Sequence, residues 1–220
     1  MTIEDKIGYC FKKRELLKIA LTHSSHAGNT TNNERLEFLG DAVLELIISE
    51  YLYSTHKLSE GKMTKIRSNI VCAESLSKAA IELEIGEHML LGKGEIVTGG
   101  RRRKSNLANA FEALIGAVFL DSGFEQTREV VLKILDNNIK LALKGSLVKD
   151  YKTELQEFVQ KNNDNVIVYK LSKSEGPEHN KTFFIDLFLN GTCVSNGIGK
   201  SKKEGEQDAA KNYLKVIRNL

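Results

Sequence analysis

Asn33-Glu34-Arg35-Leu36-Glu37-Phe38-Leu39-Gly40-Asp41-Ala42-Val43-Leu44 is the stretch on which the reading of this chain turns. On a helical wheel Glu34, Glu37 and Asp41 stand at i, i+3 and i+7, inside an arc of about 60°. Leu36, Leu39, Val43 and Ile47 fall on the opposite side, so an apolar stripe faces a core while three acids converge elsewhere. Like charges at this spacing repel by roughly a few tenths of a kcal/mol per pair. Neither Arg35 nor the more distant lysines supply the i,i+4 cation that usually offsets such repulsion on a merely solvated acidic face.

A second segment argues further against a solvated face. A helix predicted over Asn106 to Leu120 places Asn109 and Glu112 at i, i+3, opposite Leu107, Phe111, Leu114 and Val118. Ala113 and Gly116 lie beside that polar pair, so another backbone can pack close. Facing helices that each bring oxygen ligands at i, i+3 build a hard-cation site in a helical bundle. Oxygen donors without Cys or an obvious His favour Mg²⁺ or Mn²⁺ over Zn²⁺. Phe38 lies toward the acidic side, where a large aromatic has no evident core to join; it reads as an interface anchor, with packing under a neighbouring loop as the alternative.

Outward from these helices, most of residues 1 to 143 reads in 3.6-residue apolar periods, and the single proline is Pro177. After the weak break Lys144-Gly145-Ser146 the pattern becomes one helix, three β-rich runs and a last helix. The runs are Val166 to Ser172, Thr182 to Leu189 and Thr192 to Gly199, with turns at Gly176-Pro177 and Asn190-Gly191. The expected fold is a mostly α, helical-bundle domain over residues 1–147 and an α+β domain of α-β-β-β-α order over 148–220.

Hydrophobic residues make up 41% of the 220, enough for two ordinary cores. Apolar runs such as Leu46 to Ile48 and Val130 to Leu132 are far too short for a bilayer, which needs about 20 residues. The first twenty residues mix Glu4, Asp5, Lys6, Lys12, Lys13 and Arg14 with apolar positions and lack a secretory core, so a cytoplasmic protein without membrane contact is expected. Cys10, Cys72 and Cys193 are odd in number and far apart, which fits reduced thiols rather than disulfides or a zinc site. A net charge of +3 says little about partners; where the charges cluster says more.

In the second domain Thr153, Gln156 and Gln160 share one helix face while Leu155, Phe158 and Val159 face the core. Neutral amides and hydroxyls suit a surface displaying 2′-hydroxyls and base edges. Lys200, Ser201, Lys202 and Lys203 sit at the start of the last helix, where the dipole disfavours cations. A phosphate there would meet both the backbone N–H groups and the lysines, turning that conflict into a binding site. His179, in the turn from Gly176 to Lys181, can reach a minor groove.

The acidic stretch closely resembles the signature of the ribonuclease III family. The likeness extends to Ala20-Leu21-Thr22-His23-Ser24, to Phe111-Glu112-Ala113-Leu114-Ile115-Gly116-Ala117-Val118, and to the C-terminal domain, which resembles a double-stranded-RNA-binding domain from Asp150 to Leu214. This resemblance implies a magnesium-dependent endonuclease of RNA duplexes, working by two-metal hydrolysis to 5′-phosphate and 3′-hydroxyl ends, in rRNA and mRNA processing. It implies Glu37, Asp41 and Glu112 as metal ligands with position 109 beside them, and Glu34 and Glu60 as accessory acids near the scissile phosphate. It also implies a homodimer with Phe38 at the contact, and no small-molecule cofactor. His23 and His26 read as structural rather than as general bases.

Two departures stand out. The family has Asp at the position of Asn109, and a carboxamide brings no charge to a cation. Gly205 stands where Ala is expected in the last helix, at roughly 1 kcal/mol of helix propensity, so a weakened fold is expected there. Two rival readings stay open: a duplex-binding form of the same fold weakened by Asn109, and a helical hydrolase of small phosphates with an unrelated second domain.

Overall fold

The computed structural model describes residues 2–26, 31–145, 151–160, 166–177 and 181–218. The chain divides into two compact units, Met1–Val148 and Lys149–Leu220.

The first unit is helical among its described residues: α1 (Ile3–Ile7), α2 (Arg14–Ala20), α3 (Glu34–Thr55), α4 (Glu60–Val71), α5 (Ala73–Glu82), α6 (Ile85–His88), α7 (Lys93–Val97), α8 (Lys104–Ser122), α9 (Phe124–Ile134) and α10 (Asp136–Leu143), with a 3₁₀ turn over Gly100–Arg102. Its centre is the pair α3 and α8. Leu44, Ile47, Ile48 and Leu52 of α3 are fully buried with Phe111, Leu114, Ile115 and Val118 of α8. Each such side chain contributes roughly 1.5–3 kcal/mol of hydrophobic stabilisation. Small residues let the two backbones touch. A Cβ at Gly40 would occupy the space of the Glu112 carbonyl oxygen, and one at Gly116 that of the Leu36 carbonyl oxygen. The close approach expected beside Gly116 is therefore present, with a second glycine, Gly40, completing it.

The start of α3 is fixed from outside. Asn33 N–H donates to Thr22 O (2.9 Å), and Glu37 N–H donates to Asn33 O (2.8 Å). Thr22 in turn pairs with Leu90: His23 N–H donates to Leu90 O (3.0 Å) and Leu90 N–H to Leu21 O (2.8 Å). Ser25 Oγ accepts from Gly92 N–H (3.0 Å) and lies 2.8 Å from His23 Nδ1. His26 N–H donates to His23 O (2.9 Å). His23 thus belongs to a clasp joining the entry of α3 to the segment before α7.

The second unit comprises α11 (Tyr151–Gln160), the antiparallel sheet β1 (Ile167–Glu175), β2 (Thr182–Leu189), β3 (Thr192–Gly199) in the order β1-β2-β3, and α12 (Lys202–Arg218). Leu155, Val159, Leu187, Ala209, Ala210 and Leu214 form its core. The Asn190-Gly191 turn has φ of 50° and 83°, the two positive values that a type I′ hairpin requires.

Four expectations need correction here. β1 runs on to Glu175, past the expected end at Ser172, because a register shift between Leu171 and Lys173 lets the pairing with β2 continue to Thr182. The last helix begins at Lys202, so Lys200 and Ser201 precede it; Ser201 Oγ accepts from Glu204 N–H (3.2 Å), and Lys200 N–H donates to Glu204 Oε2 (2.8 Å). Phe158 is 45% exposed rather than in the core, since it sits at the edge of the stripe formed by Leu155 and Val159. Gly205 is also not a plain weakness. A Cβ there would lie 2.7 Å from Ile185 Cγ1, and the α12 backbone rests against Gly197 and Gly199 of β3. Ile185 fills the volume a methyl at 205 would need, which offsets the lost helix propensity.

Candidate functional site

α3 and α8 bring four of the singled-out side chains together. Glu37 and Asp41 come from the first two turns of α3, Asn109 and Glu112 from the outer face of α8, and the Gly40–Gly116 contact holds these faces side by side. Glu112 is half-buried. Burial, then the charges of Asp41 and Glu37, push its carboxyl from 4.5 up to about 7. Glu37 is raised too, by burial and then by Glu34; a hydrogen bond from Asn109 opposes the rise, and Asp41 adds to it. Among the described residues no Lys or Arg forms an ion pair with Glu34, Glu37, Asp41 or Glu112. These are crowded carboxylates without a counter-charge.

Such a donor set suits a hard divalent cation. Among the described residues no three His, Cys, Asp or Glu side chains stand close enough to hold an ion as placed. That openness fits Mg²⁺ better than Zn²⁺, because Mg²⁺ keeps several of its waters and needs only one or two direct carboxylates.

Glu34 is exposed at the start of α3, where the helix dipole favours an acid; its Oε2 accepts from the Asn32 amide (3.2 Å). Glu60 is not brought to the cluster within one chain. It opens α4, bonds Thr64 (3.0 Å) and lines a groove with Leu46, Ser49, Glu50 and Tyr53. Ser49 lies eight residues along α3 from Asp41, a rise of about 12 Å.

Phe38 is 82% exposed. It borders a groove of about 720 Å³ lined by Leu16, Ile19, Leu36, Leu39 and Leu120. Leu46 and Tyr53 extend the exposed apolar surface along α3. The sequence reading missed these partners of Phe38, although their wheel positions outside the buried stripe were a usable signal.

In the second unit, Gln156 and the chain from Lys200 to Lys203 are exposed, and Thr153 is half-buried. Lys202 and Lys203 occupy the first turn of α12. Lys152, in contrast, is tied down: its Nζ bonds Glu206 Oε2 (2.6 Å) and lies 4.6 Å from the Tyr169 ring centre. His179 and the Gln160 side chain lie outside the described residues. No described helix is long and apolar enough to cross a membrane.

Comparison with known proteins matches the same two regions. A family described as Ribonuclease-III-like matches residues 13–139, and the Double-stranded RNA binding motif matches residues 151–217. The chain is 49% identical to Ribonuclease 3 of Caldanaerobacter subterraneus subsp. tengcongensis, over 98% of this chain and 96% of that protein. It is 47% identical to Ribonuclease 3 of Clostridium tetani, over 99% and 93%. A solved nuclease domain of ribonuclease III from Campylobacter jejuni, described for structural flexibility in its dimer-forming region, superimposes with a TM-score of 0.59 at 42% identity. It covers 62% of this chain and 95% of that one.

Proposed function

The chain belongs to the ribonuclease III family, and from that membership we propose how its residues cut RNA. It is an endoribonuclease acting on double-stranded RNA, with a double-stranded-RNA-binding domain following the nuclease domain. The observation that carries the mechanism is the set Glu37, Asp41 and Glu112, crowded across the α3–α8 contact and lacking an ion-pair partner among the described residues.

These three carboxylates, with Asn109 beside them, would hold Mg²⁺, or Mn²⁺ in its place. When bound, two such ions supply Lewis acidity that activates water and stabilises the departing 3′ oxygen. Glu112 must give up its proton as a cation arrives, since only the carboxylate ligates well. Glu34, at the exposed end of α3, orients groups beside the scissile phosphate. Glu60 sits too far along α3 to join its own chain's cluster, so its accessory role would be exerted at another part of the duplex path. The products are 5′-phosphate and 3′-hydroxyl ends.

The α12 start carries the phosphate contacts through Lys200, Ser201, Lys202 and Lys203, while Thr153, Gln156, Gln160 and His179 face the minor grooves. Two staggered cuts require two nuclease domains on one duplex. The exposed Phe38 beside an apolar groove is self-complementary under a twofold axis, each ring entering the partner's groove. The working unit is thus a homodimer, acting in cytoplasmic rRNA and mRNA processing.

A labelled duplex incubated with Mg²⁺ or with EDTA, beside one of its strands alone, tests this reading. Cleavage of the duplex only, with Mg²⁺ only, leaving 5′-phosphate ends, is expected; binding without any cleavage would identify a duplex-binding protein weakened at Asn109.

A further inference from the structure

Asn109 puts a neutral carboxamide on the face of α8 that also bears Glu112. That face adjoins the Glu37 side of α3, because the two backbones touch at Gly40 and Gly116. A carboxamide differs from a carboxylate in two respects: it carries no charge, and it brings two N–H donors. A carboxylate can only accept from a donor. An acid at 109 would therefore face Glu37 as another like charge, whereas the Asn109 side chain is hydrogen-bonded to Glu37. Among the described residues no Lys or Arg forms an ion pair with Glu37 to do this instead.

We infer that Asn109 is a positioning residue in this protein: it donates an amide N–H across the α3–α8 contact, holding the Glu37 carboxylate in place when no cation is bound. The site then keeps its arrangement without metal and has less need of one. This rests on the reading of Glu37, Asp41 and Glu112 as the metal-holding acids. It assigns to position 109 a task that an acid there cannot perform, in exchange for one negative charge fewer toward a cation.

The test uses thermal unfolding of the full chain in EDTA, then across a titration with Mg²⁺ alone. In EDTA, a double-mutant cycle of Asn109→Ala and Glu37→Ala isolates the bond, because the helix propensity gained at each alanine cancels. The loss caused by Asn109→Ala should be about 2–4 °C larger when Glu37 is present than in the Glu37→Ala background. Asn109→Asp should unfold at lower temperature than the parent in EDTA at pH 8, yet gain more from Mg²⁺ and reach half its gain at lower Mg²⁺. Additive effects in the cycle, or an Asn109→Asp protein no less stable in EDTA, would overturn the inference. If the cycle shows coupling but Mg²⁺ stabilises neither parent nor Asn109→Asp, the bond stands and the reading of the acids as metal holders fails instead.

Discussion

Replacing Glu112 with Gln removes an ionisation that the metal-free fold disfavours, and the structure fixes both the direction and the scale of the result. The carboxyl is raised from 4.5 to about 7 by burial and by the charges of Asp41 and Glu37. Between those two pH values the folded protein binds more protons at this position than the unfolded chain does, so stability falls as pH rises. Above pH 7 the penalty is complete. At about 1.4 kcal/mol per pH unit it amounts to roughly 3 kcal/mol, an upper figure because salt screens part of the repulsion. In EDTA, Glu112→Gln should match the parent near pH 4 and exceed it at pH 8, by on the order of 5–10 °C in Tm at about 2–4 °C per kcal/mol. Excess Mg²⁺ should narrow or reverse the gap, since a cation held by Glu112 stabilises only the parent by mass action. Differential scanning calorimetry from pH 4 to 9, with EDTA and with Mg²⁺, measures all of this. A variant less stable than the parent at pH 8 in EDTA, or a gap independent of pH, would refute the reasoning.

Phe38→Ala should shift the protein toward monomer while its helical content and melting temperature as a monomer are retained, because the ring is 82% exposed within one chain; an unchanged dimer by sedimentation at low micromolar concentration would refute it. Changing Lys200, Lys202 and Lys203 together to Ala should weaken binding to all RNA duplexes about equally and flatten its salt dependence, by roughly one unit of slope for each phosphate no longer neutralised; selective loss for one duplex sequence would mean that these lysines read bases. Gly205→Ala should lower the stability of the second unit or leave it unchanged despite a better helix former, since the new methyl meets Ile185. Adding Ile185→Val should recover about 1 kcal/mol, the propensity difference between Gly and Ala; a stabilising single change would contradict the packing argument.

Much of this was legible in the sequence because helix and strand periodicity is local. The 3.6-residue spacing of Leu36, Val43 and Ile47 placed the buried stripe of α3, and Asn190-Gly191 placed the hairpin and both of its strands. Glu37, Asp41, Asn109 and Glu112 stood out by spacing alone, although their meeting is a tertiary event set by Gly40 and Gly116. Phe158 was misjudged because a side chain at the edge of an apolar stripe is buried only if a neighbour covers it. The role of Gly205 depended on Ile185, twenty residues away on another element, and no local rule connects the two. Glu60 could be singled out only by family resemblance. The groove beside Phe38 draws on α2, α3 and α8, so no single helical wheel displays it.

The most direct test of the central claim is single-turnover cleavage of a long RNA duplex over a Mg²⁺ titration, comparing the parent with Glu112→Gln and Asp41→Asn at equal duplex binding. The account predicts Mg²⁺-dependent cutting by the parent, and in both variants a loss of cutting by several orders of magnitude with affinity for the duplex intact. Cleavage by either variant at the parent's rate and Mg²⁺ requirement would contradict it.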